Sequence, residues 1–398
     1  MENINSTLNT QQAASEIGVS AITLKRWLLS GKVADVSRDR NGWRVFNGQD
    51  IERIRQYAAG EAGPSTKASK SNKKYTVASF FSGIGGFDLG FEEYGFEIKF
   101  QCEINKFCQN ILKKHWSKVT LDTNITEVKN DRIPNSDVWI GGFPCQDVSL
   151  ASMGTRKGLK GARTGLFYEF TRLLGEARPG VIVLENVPGL LSSHKGKDFE
   201  VVIQTLAELG YSVGWRTLNS RHFGVPQSRQ RVYIVGCYRD REGPARILFE
   251  PERSEGNFKK NGPNGEKPIS PLKRVLRDLG GESPVVQSIA YCLYACSARH
   301  TGTDWSRTYV SYPSIGAVRR LTAKECEGIM AFPKEWTIPT SDEFGADVES
   351  LRYHALGNAV TPPVASWIAS RVRSYLIDKD TVAVNNSRTE SLGLAAGG

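Results

Sequence analysis

No stretch of this 398-residue chain approaches the roughly 18 consecutive apolar residues of a membrane span, so no membrane partner is expected. The start, Met1-Glu2-Asn3-Ile4-Asn5, is polar and lacks the apolar region of a secretory signal. Seven cysteines, at 102, 108, 145, 237, 292, 296 and 326, form no CxxC pair and are odd in number. That argues against a disulfide framework and against a zinc site, and for a soluble protein in a reducing, intracellular setting. Acidic residues are in deficit. The 42 Asp and Glu against 52 Lys and Arg leave a net charge of +10, which favours a polyanionic partner. The length implies more than one domain.

Residues 59–74 are small, polar and basic, with almost nothing to bury, and read as a linker. Before them, residues 1–58 follow a helix, glycine turn, helix pattern. Thr10 is placed to cap a first helix that Gly18 ends, and Ser20 to cap a second carrying Leu24, Trp27 and Leu28. Lys32-Val33 and Trp43 to Phe46 flank the turn-prone Asp39-Arg40-Asn41-Gly42 and predict a hairpin; Asp50 to Ile54 opens a third helix. This order resembles the winged-helix modules of the MerR and excisionase families. The resemblance implies DNA contacts from Lys25 and Arg26 on the second helix and from Arg44 near the wing.

From residue 75 to 236, strand-like and helix-like stretches alternate, as in a doubly wound α/β domain. Val77 to Phe81 runs into Ser82-Gly83-Ile84-Gly85-Gly86, a turn that lets backbone approach a nucleotide-like ligand. The Gly-Lys-Ser/Thr of a Walker loop is missing. Glu103 closes the next strand-like run about twenty residues on, where a carboxylate can bind ribose hydroxyls. Trp139 to Gly142 ends in Phe143-Pro144-Cys145-Gln146, delivering one cysteine onto a short loop beyond a strand's carboxyl end. Val181 to Leu184 leads likewise into Glu185-Asn186-Val187, and Gln227-Ser228-Arg229-Gln230-Arg231 opens another strand. A thiol nucleophile, an acid and an anion or carbonyl clamp are thereby brought toward one edge.

These motifs, followed in order by Gly357-Asn358-Ala359-Val360, resemble the DNA cytosine-5 methyltransferases from about Val77 to Ile368. The resemblance implies a class I S-adenosylmethionine-dependent methyltransferase fold, Rossmann-like, interrupted by a small target-recognition domain. It implies a catalytic domain at 75–236, a target-recognition domain at 237–318 and completion of the catalytic domain at 319–378; residues 379–398, rich in Ser, Asn and Gly with few apolar anchors, read as a frayed tail. Cys145 would add to C6 of a flipped cytosine, Glu185 would protonate N3, and Arg231 with Arg229 would contact the base carbonyl and position the cluster. For the cofactor it points to Phe81, Gly83, Ile84 and Gly86, to Glu103 on the ribose, Ile104 beside the adenine, and Asn124-Ile125 where the family usually carries an acidic residue. Pro144, Leu166 and Asn358 complete that pocket. Gly154 to Gly165 resembles a loop that closes over DNA. Residues 299–309, with Arg299 and Arg307, suit base edges and phosphates.

The leading expectation is a monomeric enzyme methylating double-stranded DNA in the cytoplasm, at the nucleoid, of a bacterium or phage-infected cell. A cognate restriction endonuclease cutting the same site is the functional partner such a system carries. A tRNA methyltransferase is disfavoured by Ser149, where that branch usually has threonine, and by the N-terminal module. A catalytically silent DNA-binding regulator is disfavoured by the intact Cys145, Glu185 and Arg231.

Overall fold

The computed structural model describes residues 8–19, 21–29, 33, 36–37, 43–58, 73–144, 165–249, 284–294 and 307–395. They fall into two compact units, one of residues 1–75, 91–97 and 373–398, the other of residues 76–90 and 98–372.

In the first unit, strand β1 (Leu8–Asn9) leads into helix α1 (Thr10–Ile17). The cap is Asn9 rather than Thr10: the Asn9 side chain accepts from the Gln11 and Gln12 amides, and Gln12 reaches back to the Asn9 amide. Gly18 ends the helix in the left-handed region, φ 82°. Helix α2 (Ala21–Leu29) buries Leu24 and Leu28, and α3 (Gly48–Ala58) buries Ile51 and Ile54 against Phe46. Most of the hairpin expected between Lys32-Val33 and Trp43 to Phe46, its turn at residues 39–42 included, lies outside the described residues. Strand β2 (Val45–Phe46) pairs antiparallel with β1, Leu8 opposite Phe46, because Leu8 supplies an apolar side chain to the module's core. The Val45 amide also donates to the Ser37 carbonyl at 2.8 Å.

The second unit is built on a seven-stranded sheet, in the order β5-β4-β3-β6-β7-β9-β8. Its strands are β3 (Thr76–Phe80), β4 (Glu97–Cys102), β5 (Thr120–Asp122), β6 (Val138–Gly141), β7 (Val181–Asn186), β8 (Tyr211–Asn219) and β9 (Gln230–Tyr238). β3, β6 and β7 run parallel, whereas β9 is antiparallel to both β7 and β8. Helices α4 (Gly86–Glu93), α5 (Lys106–His115), α6 (Leu166–Ala177) and α7 (Lys197–Glu208) alternate with the strands. Sandwiched strands read as continuous apolar runs, and Val181, Ile182, Val183 and Leu184 are all buried. Strand order reverses between β3 and β6, the crevice where this class of sheet binds ligands.

Beyond the sheet come α8 (Gly243–Leu248), the antiparallel pair β10 (Tyr309–Tyr312) and β11 (Ala317–Arg320), α9 (Ala323–Met330), α10 (Val348–Asn358) and α11 (Pro362–Ala395). Thr322 and Glu325 form a capping box on α9, and Glu325 also takes both terminal nitrogens of Arg319. A frayed tail was expected from residue 379, yet α11 stays helical to Ala395. In the first unit Asp380 anchors that stretch, accepting from Tyr75 Oη at 2.8 Å and Lys73 Nζ at 3.1 Å. Among the described residues, no helix is long and apolar enough to cross a membrane.

Candidate active site and cofactor pocket

Register places the expected motifs side by side. Phe80 lies across from Gly141, and Gly141 from Leu184, so the residues that follow, Phe81, Gly142 and Glu185, come at the same end of the sheet, where β7 continues beside β9 through Glu185 and Asn186. The approach is close. A Cβ on Gly142 would sit 3.3 Å from Glu185 Oε2, so a bare glycine there leaves the carboxylate room. Next to Glu185, the buried Asn186 donates from Nδ2 to the Phe143 carbonyl at 2.9 Å. That bond pins the backbone two residues before position 145. Pro144 is exposed at the end of this segment, whereas Cys145 lies outside the described residues, as do Arg299 and the side chain of Arg26.

Glu185 is buried, and Arg231 Nε lies 2.9 Å from its Oε1. The N–H is not aimed along that contact, so among the described residues Oε1 has an ion-pair neighbour but no hydrogen-bond donor. Burial pushes the Glu185 carboxyl above the usual carboxylate range, with Arg231 and then Arg229 pulling the other way. A carboxyl so placed holds a proton more readily than an exposed one. Arg231 NH1 donates to the Gln230 carbonyl at 2.7 Å.

Arg229 is differently used. It is 2% exposed, and its terminal nitrogens donate to three backbone carbonyls: Leu293 at 2.9 Å, Gly357 at 2.9 Å and Ala359 at 2.8 Å. It thus ties the strand carrying Arg231 to the 284–294 segment and to the Gly357 to Val360 motif. Gln227, fully buried beside it, accepts from the Leu293 amide at 3.2 Å. Sequence reasoning read Gln227 as part of a motif without giving it a task, and overlooked Asn186 as an anchor.

The glycine turn after β3 holds three left-handed residues, Phe81 (φ 52°), Gly83 (φ 56°) and Gly85 (φ 80°). The Ser82 amide donates to the Cys102 carbonyl at 3.1 Å, and the Gly83 amide to Glu103 Oε2 at 2.7 Å. Glu103 Oε1 takes the Asn105 amide at 2.8 Å. Each carboxylate oxygen therefore keeps a lone pair for a hydroxyl. Burial raises the Glu103 pKa, and the Asn105 and Gly83 amides oppose it. Ile104, 68% exposed, presents an apolar face beside the buried carboxylate, while Ile125 is buried. Asn124 is turned to its own loop, its oxygen taking the Thr126 amide and hydroxyl and its nitrogen donating to Glu127. Asn358 reaches the same region because the Val360 carbonyl packs on Gly86; its amide meets His354 Nε2 at 3.2 Å. Leu166 opens α6 and packs on the sheet's core. A strained backbone turn, a carboxylate with spare lone pairs and an exposed apolar neighbour fit an adenosine-bearing cofactor.

The expected DNA contacts divide. Arg44, the expected wing contact, is 8% exposed. Lys25 pairs with Glu93 in the same unit. Arg307 lies 5.3 Å from the centroid of the half-exposed Tyr294 ring.

The family model for C-5 cytosine-specific DNA methylases matches residues 75–308 and 282–374. The type II methyltransferase M2.BsuMI of Bacillus subtilis (strain 168) is 30% identical over 318 residues, 74% of this chain and 75% of its own length. M.MspI of Moraxella sp is 31% identical over 306 residues, 75% of this chain and 70% of its own. Among solved structures, the Dnmt2 methyltransferase of S. pombe superposes with a TM-score of 0.57 at 20% identity, covering 76% of this chain and 99% of that one. With the family's motifs meeting at one sheet edge, the chain belongs to the C-5 cytosine-specific DNA methylases.

Proposed function

We propose that the protein is a DNA (cytosine-5-)-methyltransferase of a restriction-modification system, acting as a monomer on one short duplex sequence through Cys145. The observation that carries this is the Glu185–Arg231 pair at the edge where the Gly142 to Pro144 segment emerges. S-adenosylmethionine, held by the Phe81 to Gly86 turn, Glu103 and Ile104 with Asn358 and Leu166 alongside, supplies an electrophilic methyl group. Cytosine C5 is too poor a nucleophile to take it unaided. Thiolate addition from Cys145 to C6 makes C5 enamine-like, and the proton on Glu185 passes to N3 as the adduct forms. Arg231 steadies Glu185 and the base carbonyl, and Arg229 acts one step back by holding the strand that carries Arg231. Once C5 carries the methyl group, a solvent base takes the C5 proton, Cys145 leaves C6 as the thiolate and N3 returns its proton to Glu185, which restores the ring. The target carbon is buried in stacked DNA, so the base must leave the helix. The recognition segment between residues 237 and 318, with Arg299 and Arg307, reads the flanking sequence. The N-terminal residues 1–58 form a helix-turn-helix DNA-binding module, with Lys25 and Arg26 on its second helix, whose target is the gene's own promoter; a gel shift finding no specific binding by the full chain there would sink this part.

The test is methyl transfer from tritiated S-adenosylmethionine to duplex DNA or tRNA, comparing wild type with Cys145→Ala and mapping modified cytosines by bisulfite sequencing. Cysteine-dependent 5-methylcytosine at one short DNA motif is the expected result. Label on tRNA alone would move the activity to RNA, and no label on either would leave a DNA-binding regulator.

A further inference from the structure

The glycine turn is gripped on its second side by an element far away in sequence. Trp336, 7% exposed, donates from its indole Nε1 to the Ile84 carbonyl at 2.9 Å, a buried bond. Its ring is held from several directions. His115 stacks on it with centroids 3.5 Å apart and planes 5° from parallel, Trp116 meets it edge-on at 5.6 Å, and Phe332 lies at 5.8 Å. The backbone around it is tied as firmly. His115 Nε2 bonds the Trp336 carbonyl at 3.0 Å, and Lys114 Nζ donates to the carbonyls of Glu335 and Ile338, each at 3.0 Å. The fully buried Glu327 accepts from the Glu335 and Thr337 amides, both at 2.9 Å, and from Arg352 NH2 at 3.1 Å. Trp116 also fills the space beside the next residue of the turn, so that a Cβ on Gly85 would meet its ring at 2.4 Å.

We propose that Trp336 is a positioning residue for the cofactor loop, its indole N–H fixing the Ile84 carbonyl so that the Phe81 to Gly86 turn stays shaped for S-adenosylmethionine. The proposal rests on the cofactor reading above. The turn spends three left-handed residues, one of them the non-glycine Phe81, and such a backbone persists only where its surroundings over-determine it. Ties from the β4 side, at Ser82 and Gly83, fix its first half. The Trp336 bond reaches the second half, just ahead of Gly86.

Trp336→Phe keeps an aromatic ring against His115 and removes the N–H. Isothermal titration of the full chain with S-adenosylhomocysteine is the probe, alongside steady-state methylation of duplex DNA. The expected result is a Kd, and a KM for S-adenosylmethionine, raised about tenfold, the size set by losing one buried hydrogen bond. The kcat at saturating cofactor and the affinity for duplex DNA should stay within about twofold, a split that general loosening of the fold would not produce. His115→Phe is the control, since it disturbs the stack and leaves the indole N–H in place. If it raises Kd as much as Trp336→Phe, packing is responsible and the proposal fails. An unchanged Kd in Trp336→Phe overturns the proposal alone. A wild type that binds no S-adenosylhomocysteine overturns the cofactor reading and this proposal with it.

Discussion

Gly83 and Gly86 stand three residues apart in one turn and are glycine for different physical reasons, so their substitutions should fail differently. Gly83 has φ 56° and open space where a side chain would go. Gly83→Ala therefore costs only the left-handed backbone penalty, about 1–2 kcal/mol. Gly86 has an ordinary φ, but a Cβ there would lie 2.2 Å from the Val360 carbonyl oxygen and 3.0 Å from its carbon. Backbone cannot swing aside as a side chain tip does, and Val360 follows carbonyls that Arg229 holds. Gly86→Ala must push α4 and the Gly357 to Val360 motif apart, at the overpacking cost of about 1–3 kcal/mol. Because Asn358 rides on that motif, cofactor affinity should fall too, about tenfold for each 1.4 kcal/mol borne by the bound state. Asparagine separates the two causes, since it tolerates the left-handed region better than alanine. Gly83→Asn should recover part of the stability that Gly83→Ala loses, while Gly86→Asn should be worse than Gly86→Ala. Urea unfolding and titration with S-adenosylhomocysteine read both quantities. A Gly86→Ala protein with wild-type stability and affinity would refute the argued contact between the turn and Val360.

Asn186→Ala leaves the Phe143 carbonyl buried without its donor; single-turnover methylation should slow roughly 100-fold through misplacement of the loop bearing Cys145, with S-adenosylhomocysteine affinity unchanged. Arg229→Met strips the donor from three buried carbonyls and should destabilise the fold by at least about 3 kcal/mol, seen as a lower urea midpoint. Glu185→Gln should slow methyl transfer by about 10² to 10⁴. In the wild type, a proton-donating Glu185 with a raised pKa supports activity below that pKa and loses it as pH climbs through it. The kcat profile should therefore carry an alkaline limb that Glu185→Gln abolishes, and a profile identical in both proteins would remove Glu185 from proton transfer.

Legibility followed the range over which each residue acts. The sheet was readable because strands buried on both faces, such as Val181 to Leu184, announce themselves by apolar runs bounded by turns. The catalytic edge was readable because register brings strand ends together without any further information, so Gly142 and Glu185 had to meet once β6 and β7 were neighbours. Trp336 carried only a weak signal, that a buried indole needs a partner for its N–H; nothing in the chain said that the partner was the Ile84 carbonyl, 252 positions earlier.

In the N-terminal module, burial decides a pairing that no local signal announced, that of β1 with β2. Asp39-Arg40-Asn41-Gly42 is strong turn chemistry, and it drew attention to a hairpin with Val33. A two-residue strand is stabilised less by its turn than by what its side chains cover, and Leu8 joins the apolar cluster around Phe46. Arg44 stands beside that pairing. Its neighbour Val45 pairs with Asn9 and Phe46 with Leu8, and Arg44 is drawn into the module to 8% exposure. A basic residue beside a turn is thus evidence of a DNA contact only once the pairing of its strand is known. If this module grips DNA, Lys25 on α2 is the described cation expected to carry the contact. Lys25→Ala then lowers affinity at a specific site and Arg44→Ala acts through stability, a contrast that salt-dependent binding and urea unfolding resolve in parallel.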